Sequence, residues 1–254
     1  PEDSCHHDPA GKHPALEISP AGAQASNPLG GDSPQRGREH GVREGARSGG
    51  EDSRDTRPDR ATRFVETSLG ILSYSQLAPL LSDRVTALEA EVLKGGFATD
   101  PLDECLVLKF HHRIAGDLVP DWVGRWRDIS VRVGRLEPPP PFQVPVLMRD
   151  YCRDLQARWT GAQSDQDALL LEFLAFAEGR FLTIHPFRDF NGRTIRVLLL
   201  EILNRLDLPR VQLAPQSHSS REEFFSALEA ADRCDWQPLV SIWHRRLTAD
   251  DEFQ

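Results

Sequence analysis

The stretch FLTIHPFRDFNGRTIRVLLL, residues 181–200, sets His185, Asp189, Asn191, Gly192, Arg193 and Arg196 between two apolar runs. A residue before proline is pushed out of the right-handed helical region. His185 is therefore expected at the end of a buried helix, its imidazole facing whatever the following loop encloses. A second helix is expected to begin near Asn191 and Gly192. Its first turn leaves backbone N–H groups unpaired at the positive end of the helix dipole, which suits a phosphate. Arg193 and Arg196 are neighbours on one helical face and add fixed positive charge to the same anion. Asp189 is the lone acid between Ile184 and Leu200, against Arg188, Arg193 and Arg196. Beside an anion pocket its natural role is a hard oxygen ligand for Mg²⁺ bridging phosphate oxygens. A histidine at 185, kept neutral by the arginines, can take a proton from an attacking hydroxyl. The chemistry is transfer of a phosphorus-containing group to a hydroxyl, driven by positioning and charge stabilisation. Singly, such residues are caps or solvated faces. Gathered between two apolar helices they have no packing value and read as a site.

The elements that must position them are mostly helical. From Ser75, Leu77, Leu80, Leu81, Val85, Leu88 and Val92 recur at helical spacing, with Gly95-Gly96 as a stop. A second helix is expected through PLDECLVLKFHHRIAGDL, opened by Pro101. Alternating Ile129, Val131 and Val133 predict a short strand entering a stiff, non-helical flap at EPPPPFQVP, where prolines fix φ and remove donors. Helical patterning returns in VLMRDYCRDLQARW, in the central buried run DALLLEFLAFAEGRFLTI and in RTIRVLLLEILNRL. SSREEFFSALEAADR opens with a capping-box pattern, Ser219 or Ser220 with Glu222 or Glu223, and QPLVSIWHRRL closes the fold.

HPFRDFNGRTIR resembles the signature of the Fic/Doc family, His-x-Phe-x-(Asp or Glu)-Gly-Asn-Gly-Arg-x-x-Arg, at every specified position except 190. Upstream, FHHRIAGDLVPDWVGRWRD is similar to the family's leucine-histidine helix and following Gly-x-x-Arg element, and VGRLEPPPPFQVP sits where its target-docking flap is expected. The resemblance covers roughly residues 75–247. It implies a mainly α fold, a Fic-type helical bundle with a small β-hairpin flap, preceded by a disordered N-terminal tail. The expected divisions are a tail at 1–60, an N-terminal helical extension at 61–97, a Fic domain at 98–247 and a C-terminal tail at 248–254. The activity implied is transfer of AMP from ATP, with Mg²⁺, onto a Ser, Thr or Tyr hydroxyl of a target protein, releasing pyrophosphate. His185 would be the base and Asp189 the Mg²⁺ ligand. Asn191, Gly192 and Arg193 would form the anion hole, Arg196 would hold phosphates or brace the pocket, and Phe187 would anchor the core. The target would dock on the flap around residues 135–144, its backbone added as a strand.

Phe190 stands where the family usually has glycine. Its side chain disfavours positive φ, and it can crowd the nucleotide, point outward or stack on a base, so nucleotide identity stays open. Doc-like phosphoryl transfer, UMP transfer and a catalytically silent Fic-fold binding module are the alternatives. A metal-dependent phosphodiesterase built on His185 and Asp189 ranks last, lacking a second ligand cluster. Retention of Gly192 favours nucleotidyl over phosphoryl transfer. His111 matches the family's helix histidine and is expected to be a structural hydrogen-bonding group. Glu89, in VTALEA, sits in a frame comparable to the family's inhibitory helix but lacks its flanking residues; a solvent-facing glutamate is expected, with pairing to Arg196 as the alternative.

Composition bounds the rest. The 254 residues carry a net charge of −9 and a hydrophobic fraction of 39%, which fits one main domain with a sizeable core. No apolar run is long enough to span a bilayer, and no basic-then-apolar leader opens the chain. Residues 1–60, rich in Pro, Gly, Ser, Arg and Asp, are expected to be disordered, with His6 and His7 simply solvated. Cys5, Cys105, Cys152 and Cys234 form no CxxC pair, so neither a zinc site nor a disulfide scaffold is expected. The acidic balance argues against nucleic acid, and the tryptophans read as packing rather than as a base-stacking platform. The cytoplasm is the expected compartment, with injection into another cell also compatible; the oligomeric state stays open.

Overall fold

A computed structural model describes residues 64–134, 136–164 and 166–249. The expected disordered tail, with His6, His7 and Cys5, lies outside these residues, as does most of the expected C-terminal tail. The chain enters through a hairpin: β1 (Phe64–Thr67) pairs antiparallel with β2 (Gly70–Ser73), Val65 opposite Leu72. Ser73 then caps α1 (Tyr74–Leu93) in a reciprocal box, its side chain accepting from the Gln76 N–H while the Gln76 side chain accepts from the Ser73 N–H. Leu77, Leu81, Leu88 and Val92 form the buried stripe of α1. The segment 61–97 expected as a helical extension is therefore, where described, a hairpin plus a helix.

Helix α2 (Glu104–Ala115) starts three residues beyond Pro101, because the Asp103 carboxylate accepts from the Leu106 N–H at 3.0 Å and fixes the N-cap there. A 3₁₀ turn, Pro141–Gln143, leads directly into α3 (Val144–Ala162). The prolines thus end as a helix entry rather than a wholly non-helical flap, as suits proline in a first turn. The expected strand at Ile129–Val133 is reduced to one isolated bridge, Val133 to Leu136, beside Gly134 at φ 59°. Pro138 to Pro141 have no N–H to extend a ladder. The small hairpin of this mainly α fold therefore lies at Phe64–Ser73 and not in the flap.

Helix α4 (Asp167–Ile184) is the central rod, packed against α3, α5 (Asn191–Arg205), α6 (His218–Asp232) and α7 (Gln237–Thr248), while α1 and α2 cover α5. Apolar residues around its whole circumference, including Phe173, Leu174, Phe176 and Phe181, are buried, as a helix enclosed on all sides requires. The cap of α6 is Ser217, whose side chain accepts from the Ser220 N–H while Ser220 accepts from the Ser217 N–H. The box lies two or three residues earlier than its Ser-to-Glu pattern suggested, because a second serine supplies the return bond. Among the described residues no helix is long and apolar enough to cross a membrane.

Candidate active site

The site is the joint between α4 and α5. Helix α4 ends at His185 in the left-handed region, φ 49° and ψ 63°, its N–H still donating to the Phe181 carbonyl at 2.9 Å. The carbonyls at such a helix end need donors, and the buried guanidinium of Arg127 supplies them. Its Nε donates to the His185 carbonyl at 2.7 Å and its Nη2 to that of Ile184 at 3.3 Å; further bonds reach Ile129 at 3.1 Å and Pro139 at 2.5 Å. The Arg127 backbone N–H adds a bond to the Pro186 carbonyl. Burial pushes the Arg127 pKa down, but a guanidinium held by carbonyls at the negative end of α4 keeps its proton. Arg127 is the last residue of the Gly-x-x-Arg element at 124–127, and the sequence assigned it no role.

His111 ties α2 to the same joint. Its Nδ1 accepts from the Gly124 N–H at 2.9 Å, so Nε2 carries the proton and donates to the Asp189 carbonyl at 3.2 Å. Gly124 stands at φ 76°, where a side chain would also press on His112, so both its conformation and its approach call for glycine. Burial lowers the His111 pKa to about 3, so the ring is neutral, and it stacks on Phe187 with centroids 3.6 Å apart. The structural role expected of His111 is the one observed, as is the core position of Phe187.

Asn191 closes the loop on itself: its Oδ1 accepts from the Phe187 N–H and its Nδ2 donates to the Phe187 carbonyl, both at 2.9 Å. Its side chain is turned into the protein, so the anion-binding role expected of Asn191 narrows to its backbone N–H. Phe190, the departure from the family pattern, takes the left-handed conformation all the same, φ 61° and ψ 10°. Its ring is 2% exposed and stacks on Trp122 at 5.5 Å with an interplanar angle of 22°. The left-handed backbone costs a non-glycine residue about 1–2 kcal/mol, whereas burying the side chain contributes about 1.5–3 kcal/mol. Burial wins. Its ring is not among the residues that line the neighbouring cleft.

Beside the joint lies a cleft of about 660 Å³ lined by His185, Gly192, Ile195 and Arg196, with Val133, Gly134 and Leu136 of the flap and residues of α6 around it. Gly192 has no positive φ, and a Cβ built on it meets nothing within 4 Å. Neither backbone strain nor a protein neighbour calls for glycine there. The Arg193 and Thr194 N–H groups both donate to the Phe190 carbonyl at 3.0 Å, so Asn191 and Gly192 supply the leading amides of α5. Arg196 lines the cleft half-buried; desolvation lowers its pKa most, Arg193 adds to that, and Glu89 opposes it. Arg193, expected in the anion site, is not among the cleft-lining residues; its Nη1 donates to the Tyr74 hydroxyl at 2.7 Å. Arg188, counted in the basic cluster, instead grips Asp128 at 2.5 Å. Glu178, which lines the cleft, pairs with Arg246 at 2.6 Å, both nearly buried, a pair the sequence could not disclose across 68 positions.

Asp189 is half-buried, its Oδ1 accepting from the Phe190 N–H at 2.8 Å. Among the described residues no group of three or more His, Cys, Asp or Glu is arranged to hold a metal ion. Asp189 offers one carboxylate, and Mg²⁺ takes one or two carboxylates and completes its shell from phosphates and water. Glu89 forms no ion pair with Arg196 among the described residues; it meets Arg210 at 3.5 Å.

The model of the Fic/DOC family matches residues 101–203. Over 134 residues the chain is 33% identical to protein adenylyltransferase fic-1 of Caenorhabditis elegans, a stretch covering 53% of this chain and 25% of that protein. It is 31% identical, with the same coverage, to protein adenylyltransferase Fic of Drosophila persimilis. The match spans about a quarter of the length of these relatives. Among solved structures, the N-terminal FIC domain of Bep8, a VirB-translocated effector of Bartonella sp. 1-1C, superposes with a TM-score of 0.59 at 13% identity, covering 72% of this chain and 90% of that one. That likeness concerns the fold.

Proposed function

We propose that this protein, whose residues 101–203 match the model of the Fic/DOC family, is an adenylyltransferase that moves AMP from ATP onto a hydroxyl of a Ser, Thr or Tyr in a target protein. One observation carries the reading: a side-chain-free Gly192 in the first turn of α5 lines the same cleft as His185 and Arg196. An amide, a base and a fixed cation converge where a nucleotide's phosphates fit. The leading amides of Asn191 and Gly192 hold α-phosphate oxygens, and Arg196 bears on the neighbouring phosphates. His185 accepts the proton as the target's oxygen forms its bond to the α-phosphorus and the bond from that phosphorus to the bridging oxygen breaks. Pyrophosphate leaves with the electron pair. Asp189 would hold Mg²⁺, which would supply positive charge to neutralise that developing on the phosphate oxygens. Arg193, held by Tyr74, adds positive charge at the first turn of α5. The target docks on the flap around residues 135–144, where Phe142 stands 77% exposed. The burial of Phe190 against Trp122 speaks against a nucleotide site plugged by that ring and hence against a silent binding module.

The test is incubation with ATP, CTP, GTP or UTP labelled at the α-phosphate, with Mg²⁺ and a lysate, for wild type and His185→Ala. Label from ATP on a protein band, lost in the variant, is expected. Transfer of label only from the γ position would replace AMP transfer with phosphoryl transfer. Absence of any ATP binding by calorimetry would remove the enzymatic reading altogether.

A further inference from the structure

We propose that Trp122 is a positioning residue for phosphate binding: by stacking on Phe190 it holds the left-handed turn that aims the leading amides of α5 into the cleft. The proposal rests on the nucleotidyl-transfer reading for its kinetic arm only.

The peptide of Phe190 is pinned at both ends. Its N–H donates to Asp189 Oδ1 at 2.8 Å, and its carbonyl accepts from the N–H groups of Arg193 and Thr194 at 3.0 Å and from the Thr194 hydroxyl at 3.1 Å. That carbonyl is the first acceptor of α5, so a rotation about residue 190 turns the whole first turn of the helix. Glycine adopts a left-handed conformation without a steric penalty, whereas phenylalanine adopts it only when its surroundings hold it there. Two aromatic rings flank the position. Trp122 lies 5.5 Å from Phe190 at 22°, His111 lies 6.2 Å from Phe190 at 41°, and Trp122 and His111 are themselves 6.4 Å apart. His111 is already committed to Phe187, Gly124 and Asp189. Trp122 is half-buried in the turn after α2, and its nearest ring partner is Phe190. A substituent at 190 therefore creates a need that the indole answers, and removal of the substituent removes the need.

This predicts a dependence that simple core packing does not. Trp122→Ala should weaken Mg-ATP binding and AMP transfer at least tenfold, and raise hydrogen exchange at the Phe190, Arg193 and Thr194 amides of the free chain, which are bonded across the turn. In a Phe190→Gly background the same substitution should change each readout less than threefold, and Trp122→Phe should restore wild-type behaviour. Equal losses from Trp122→Ala in both backgrounds, or no loss in either, would overturn the proposal. Should Trp122→Ala unfold the chain, Trp122→Leu, which fills space without a ring face, takes its place with the same expectations. Hydrogen exchange reads the turn without substrate. A wild type that transfers no AMP therefore rejects the proposed function, while the exchange arm still supports or overturns the role of Trp122.

Discussion

The Nε2 of His111 lies 3.2 Å from the carbonyl oxygen of Asp189, and its Nδ1 accepts from the Gly124 N–H, so one neutral ring ties α2, the turn after it and the joint between α4 and α5 together. Protonation would place a second hydrogen on Nδ1, against the Gly124 donor. The ring's neutrality is thus a structural requirement.

Stability should depend on pH through this ring. In the unfolded chain His111 takes up a proton near its ordinary 6.5, but in the folded chain only near about 3. Between those values the unfolded state holds the extra proton, so stability is full above pH 6.5 and falls as pH falls, with a slope of about 1.4 kcal/mol per pH unit from this group. Urea unfolding from pH 7.5 to 4.5 should show that slope in wild type and a shallower one in His111→Asn. Parallel curves would contradict the assignment.

Gly192→Ala should leave the fold intact, since an added Cβ meets nothing within 4 Å. Its methyl should instead meet the phosphate. We expect unchanged thermal unfolding within about 0.5–1 kcal/mol for a Gly-to-Ala change in a helix, with ATP affinity and transfer reduced tenfold or more. Retained affinity would show that ligand does not approach this amide.

Arg127→Met should be destabilising by about 3 kcal/mol or more, because removal of the guanidinium leaves buried carbonyls of Ile184, His185 and Pro139 without donors, each costing about 1–3 kcal/mol. Arg127→Lys should recover only part of this, since an ammonium cannot reproduce the planar fork. Denaturant midpoints of the three proteins would rank them.

Glu89→Gly should raise AMP transfer less than twofold. Glu89 meets Arg210 at 3.5 Å, while Arg196, which lines the cleft, has no ion pair with it. A tenfold rise in self-modification would establish Glu89 as an inhibitory residue in spite of that geometry.

How much of this was legible in the chain depends on the distance over which each feature is decided. The rule that Pro186 forces its predecessor out of the helix placed His185 at the end of α4, and apolar periodicity outlined the helices. Both are settled within a turn or two of sequence. The same short-range logic marked Asn191 as the head of α5 and Gly192 as its exposed amide. Cap choice was legible only to within a few residues, because Ser217 and Asp103 compete with equally plausible neighbours and the bond that decides is a matter of side-chain geometry.

The sequence by itself determined which groups stand in the joint and in what order, because steric restriction and helix periodicity act between near neighbours along the chain. Tertiary structure alone decided what each group faces. Asn191 turns its amide side chain inward to Phe187, Arg188 leaves the cluster for Asp128, and the Phe190 ring finds Trp122 instead of the cleft. Arg127 becomes the brace of α4 across 58 positions, and His111 reaches Asp189 across 78. Those partners meet only after packing has brought distant segments together, and no pattern of neighbouring residues encodes which buried donor will meet which acceptor.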